Sequence, residues 1–116
     1  MKSISLHQPW ASMIADGHKT IETRTWPTNY RGDLLICSTK KPVIPGLRCG
    51  FALCIVEIYG CEPFNKWHEL RACCDVYKGY AWLLKNIRKI EPFPVRGSQG
   101  FFEVNLPKEN SPIIKC

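Results

Sequence analysis

The sequence predicts a mainly β domain with short helices, an α+β chain curled into a small barrel of about five to seven strands. Three observations carry this reading. Short alternating or apolar runs recur along the whole chain, each bounded by Gly, Pro, Asn or Asp. Helical spacing occurs in only two brief stretches. The longest apolar runs, LLIC at 34–37 and FALCIVEI at 51–58, stay apolar at successive positions, as strands covered on both faces do. A split ferredoxin-like sandwich is the competing arrangement.

The elements follow in order. ISL at 4–6 alternates like a short strand. Pro9 suits a helix start, and Trp10, Met13 and Ile14 at i, i+3, i+4 predict a helix over about 9–16 that stops at Gly17. From Thr20 to Trp26 the period becomes two: Ile21, Thr23 and Thr25 point one way, and Glu22, Arg24 and Trp26 the other. PTNYRG at 27–32 is turn chemistry, DLLICST at 33–39 a strand, and KKPVIPGLRCG at 40–50 a loop. The run from Gly50 to Ile58 is the longest strand. Asn65 caps a short helix with Trp67, Leu70 and Cys74 on its apolar side. YAWLL at 80–84 reads as one strand, RKIEPFPV at 88–95 as another held at an edge by its prolines, and GFFEVNL at 100–106 as the last. Residues 1–106 form a single domain, and 107–116 a loosely held tail.

At 116 residues and 45% hydrophobic content, the chain can fill one core without disulfides or metal. No stretch reaches the length of a membrane span, and MKSISLHQPW lacks the apolar run of a signal peptide, so a cytoplasmic, non-membrane protein is expected. The seven cysteines show no CxxC spacing and the three histidines are scattered, so neither a metal nor another cofactor is expected. Lys and Arg outnumber Asp and Glu 16 to 10, a net charge of +6 that favours nucleic acid or another anionic partner.

Charge concentrates in GHKTIETR at 17–24. Lys19 enters at the foot of a strand face that carries Glu22, Arg24 and Trp26, combining both signs of charge with an aromatic plane. A Glu–Arg pair two apart is also ordinary on a solvated strand. Glu57, counted on the face of Phe51, Leu53 and Ile55, needs a cation if buried, and Lys19 and Arg24 are natural candidates. The alternative places it at a fraying strand end near Tyr59 and Gly60, reaching solvent. His7 and Gln8 stand at the mouth of the first helix, His7 as a structural hydrogen-bonder or a catalyst. Asn29, Tyr30 and Arg31 offer hydrogen bonding and stacking on a turn. Arg96 precedes Gly97 in RGSQG, where a phosphate or a loop carbonyl could be held.

The spacing Gly17-x-Lys19-x-x-Glu22-x-Arg24 resembles the GxKxxExR signature of the ASCH domain, a relative of the PUA RNA-binding domain. LHQPWASMI, the TNYRG turn with its LLIC strand, IVEI, YAWLL and RGSQGFFEV resemble members that open with a QPWA helix, in the same order from residue 4 to 104. The resemblance implies a PUA-like β-barrel with a cleft bordered by the signature turn, and RNA, a nucleotide or a modified nucleoside as partner. Some small relatives hydrolyse the acetamide of N4-acetylcytidine with a lysine, a threonine and a later glutamate. Lys19 matches the lysine and Glu57 the later glutamate, whereas Glu22 stands where those enzymes have threonine. Two readings follow. A binding module would use Arg24, Arg31, Arg96, Gln8 and Asn29 for polar contacts, with Trp10, Trp26 and Tyr30 for stacking. An amidohydrolase would use Lys19, Glu22 and Glu57 as its catalytic set.

Overall fold

The computed structural model describes residues 1–74 and 78–107. All but the first residue of the expected tail lies outside them. The strands are β1 (Lys2–Leu6), β2 (Ile21–Arg24), β3 (Gly32–Ser38), β4 (Phe51–Pro63), β5 (Tyr80–Pro94) and β6 (Phe102–Glu103). Helix α1 spans Trp10–Ala15, and a 3-10 turn at Lys66–His68 runs into α2, Glu69–Ala72. One six-stranded sheet has the order β2-β5-β4-β3-β1-β6. β1 and β3 pair in parallel, and the other neighbours are antiparallel.

The sheet is mainly β in the way the sequence predicts, but it is not closed. Its edges are β2, with four residues, and β6, with two. Such short edges leave a seam where a barrel would zip shut. The two strands read over 80–84 and 88–95 are one 15-residue strand. Asn86, in the left-handed region at φ 53°, and three register shifts against β4 carry β5 through the gap between the two expected strands. β2 covers only Tyr80–Leu83, so the proline-bearing half of β5 is an edge on that side, as its composition requires.

Burial explains why β3 and β4 are apolar on both faces. Leu34, Ile36, Cys54, Val56 and Ile58 share one cluster with Ile4, Leu6, Ile14 of α1 and Trp82. Leu35, Cys37, Ala52 and Ile55 share another with Ile90 and Val95. Burial pushes the Cys37 and Cys54 thiols up to about 12, which keeps both protonated and inert. Gly17 ends α1 at φ 84°, a conformation that a side chain would strain, and its amide bonds the Ile14 carbonyl.

Asn65 caps the second helical segment as its position predicts: its Oδ1 accepts from the Trp67 amide at 2.8 Å, and its own amide donates to His68 Nδ1 at 3.0 Å. That bond places the ring proton on Nε2, which faces Glu62 Oε1 at 2.6 Å. The buried face differs from the expected one. Trp67 and Leu70 are 78% and 88% exposed, while His68 and Ala72 are buried. The segment starts with the tighter 3-10 winding, which shifts the inward face away from positions counted at 3.6 residues per turn.

Candidate functional site: a charged cleft at the seam of the sheet

The end of β1 and the short β2 are far apart in strand order yet border one cleft of about 710 Å³. Residues that follow α1 supply its floor. Lys19 is 3% exposed and Glu22 7% exposed, so both charges must be compensated within the protein. Lys19 Nζ donates to the Ala72 carbonyl at the end of α2 and lies 3.9 Å from Glu22 Oε1. Arg24 Nε donates to Glu22 Oε2 at 2.9 Å. The guanidinium also crosses the seam, with Nη2 donating to the Ser5 carbonyl of β1 at 2.9 Å. Burial raises the Glu22 carboxyl above its ordinary value of 4.5, with Arg24 and then Lys19 pulling against it. The trio therefore sets one carboxyl between two fixed cations.

Aromatic and neutral polar groups form the walls. Trp10 is 40% exposed, with its ring centroid 5.8 Å from Lys19 Nζ. Trp26 is held edge-on by Trp82 at 4.7 Å and Phe101 at 5.6 Å. His7 Nδ1 and Thr39 Oγ1 are 2.8 Å apart on one rim, and Ser98, Gln99 and Gly100 form another. Among the described residues no group of three His, Cys, Asp or Glu could hold a metal ion.

The structure thus brings together Lys19, Glu22, Arg24, Trp10, Trp26 and His7 of the residues singled out from sequence. Glu57 stands apart, as a correction to its expected place with Lys19. It alternates with Val56 and Ile58, which face the cluster that also holds Leu6 and Trp26, so it points to the opposite face of the sheet. There it meets Asn86 Nδ2 at 2.5 Å and Lys85 Nζ at 4.0 Å, with a third of its side chain exposed. The register shifts in β4 defeat the simple count from Phe51 that had placed it among buried neighbours.

Other candidates serve the frame. Gln8 is buried: its Oε1 accepts from the Ser12 amide at 2.9 Å and its Nε2 donates to the Arg48 carbonyl at 2.7 Å, tying α1 to the 40–50 loop. Arg31 Nη1 donates to the carbonyls of Thr28 and Tyr30, closing its own turn. Tyr30 Oη donates to the Asp33 carbonyl at 2.6 Å while its ring packs on Phe101. Asn29 and Arg96 are exposed and do not line the cleft. Ser5, Thr39, Ser98 and Gln99 line the cleft and carry no sequence signal beyond their turn-forming or polar character; only the RGSQG motif pointed near them.

A mainly β domain curled around a charged, tryptophan-walled cleft is the class that this fold and site define. The ASCH domain family model matches residues 4–94, and the chain belongs to that family. Activating signal cointegrator 1 of Homo sapiens is 48% identical over 42 residues, which are 36% of this chain and 7% of that protein. The Mus musculus protein of the same name matches to the same extent. The chain thus spans a small fraction of the length of these relatives. Among solved structures, the ASCH protein of Zymomonas mobilis superposes with a TM-score of 0.69 at 18% identity, covering 90% of this chain and 87% of that one. A tyrosine-to-phenylalanine mutant of the Zymomonas protein gives 0.66 at 18% identity, covering 90% and 89%. These structures establish the shared fold.

Proposed function

We propose that this domain binds RNA or a free, modified nucleoside in the seam cleft. The observation that carries the reading is the trio of buried Lys19 and Glu22 with half-buried Arg24, sharing a cavity of about 710 Å³ with Trp10 and Trp26. That volume lies within the range of small-molecule sites. Indole rings offer stacking planes for a base, and two fixed cations favour a ligand bearing a phosphate. The net charge of +6 adds a favourable field for a polyanion. Titration of short single-stranded RNAs and of nucleosides, followed by tryptophan fluorescence at low and high salt, tests it. RNA affinity should fall steeply with salt, and Trp10→Ala should weaken binding by about 1–3 kcal/mol. Absence of binding at low salt, or indifference to that substitution, would sink the reading.

A second reading is favoured by the raised carboxyl of Glu22 beside Lys19: hydrolysis of an N4-acylated cytidine or a similar small amide. In it Glu22 takes the proton of the attacking water, Arg24 or Lys19 holds the developing oxyanion, and the amine leaves with the returned proton. Glu57, on the other face of the sheet, has no part in it. Incubation with N4-acetylcytidine and chromatography of the product is the direct assay. Turnover that persists in Glu22→Gln would exclude this mechanism.

A further inference from the structure

The short stretch 98–100 is held between two close-packed anchors. On one side Gly97 lies so close to β1 that a Cβ added there would stand 2.6 Å from Ser5 Oγ. On the other, Phe101 stacks on Trp82 at 5.5 Å with 29° between the rings, and it meets Trp26 and Tyr30 edge-on. The chain then pairs with β1 through Phe102 and Glu103. A three-residue span with both ends fixed has little freedom to drift. It presents Ser98 and Gln99, both exposed, to the cleft. Neither has a hydrogen-bond partner among the described residues, in contrast to Lys19, Arg24, His7 and Thr39, which are already engaged within the protein.

From this we infer that Ser98 and Gln99 are the specificity-determining residues of the cleft, reading the hydrogen-bonding edge of a nucleobase placed among Trp10, Trp26 and the charged floor. The inference rests on the nucleoside-binding reading and names what that site discriminates. Lys19 and Arg24 only donate, so they attract an anion or a carbonyl without telling one base from another. A glutamine amide carries a donor and an acceptor in one plane, the pattern that pairs with adjacent groups on a base edge. A serine hydroxyl can do either, which completes a three-point edge. Recognition of an unpaired base against aromatic rings by such side chains is the usual mode for single strands.

The experiment measures the affinity of the four ribonucleoside 5′-monophosphates for wild type, Gln99→Ala and Gln99→Glu, with circular dichroism confirming the fold of each. Wild type should prefer one base over its poorest rival by on the order of tenfold, the worth of about one well-made hydrogen bond. Gln99→Ala should flatten that preference while binding persists, and Gln99→Glu, which exchanges the donor for an acceptor, should reorder it. Equal affinity for all four in wild type, or the same ranking in all three proteins, overturns the inference and leaves the binding site standing. Failure of wild type to bind any of them overturns both.

Discussion

Glu22 sets the charge of the cleft. With its carboxylate ionised, the trio carries one net positive charge; with it protonated, Lys19 and Arg24 stand as two. Burial raises its proton affinity against the pull of both cations, so the folded chain holds this proton at pH values where the unfolded chain has released it. The contribution of Glu22 to stability is therefore fully present below the ordinary value of 4.5 and declines as pH rises through the raised value. A phosphate-bearing ligand should favour the protonated state and bind more tightly as pH falls through the same window. Glu22→Gln should flatten both profiles. Thermal melts and ligand titrations across a pH series check this, and a slope unchanged in the variant would show that another group carries it.

At the scale of elements, the 97–100 segment depends on one close approach. The Ser5 hydroxyl is the sole buried side-chain polar atom without a partner among the described residues, and it sits against Gly97. Gly97→Ala should push the segment off β1 at a cost of about 1–3 kcal/mol, because overpacking displaces backbone. Ser5→Ala alone should be nearly neutral, since it removes an unpaired buried hydroxyl. In the double variant the alanine methyl at 97 meets no hydroxyl, and stability should return to within about 0.5 kcal/mol of wild type, the usual limit of scatter. Denaturant unfolding of the three variants is the measurement. Additive losses would mean that the clash is relieved elsewhere. The second helical segment works in the same spirit: the Asn65–His68–Glu62 chain of hydrogen bonds fixes α2 so that its Ala72 carbonyl meets the Lys19 ammonium.

For the whole molecule, the open sheet matters most. β2 and β6 do not pair, so across this seam the backbone lacks the ladder that closes a barrel. Arg24 substitutes for part of it by joining the Ser5 carbonyl of β1 to Glu22 of β2, and Trp26 and Phe101 add an aromatic contact. Arg24→Ala should cost about 2–4 kcal/mol, because it leaves a buried carboxyl with one cation fewer and removes the seam bond. Arg24→Lys should recover only part, since a single ammonium cannot span both partners as the planar fork does. Amide hydrogen exchange should show the loss concentrated in β1 and β2. Uniform loss over all strands would argue against a local seam.

Much of this was legible in the sequence, and the reason is local. The helix at Trp10–Ala15 behind Pro9, its glycine stop, the Asn65 cap and the apolar strands all follow from φ preferences, missing donors and side-chain periodicity, which act within a few residues. The GxKxxExR spacing likewise put Glu22 and Arg24 together, because alternation along one short strand settles a shared face, with Lys19 entering from the turn just before it. Glu57 could not be placed this way. Register shifts in a 13-residue strand reset its alternation, and they arise from pairing with β3 and β5. The rims of the cleft were equally out of reach. Thr39, Ser98 and Gln99 come from segments distant in the chain, and only the curl of the sheet brings them beside β2. Local chemistry determined the elements and the signature face. Which residues share the cleft, and which charge is left outside it, was decided by strand register and by a seam that exists only once β2 at one edge and β1, next to the other edge strand β6, have been brought face to face by the curl of one sheet.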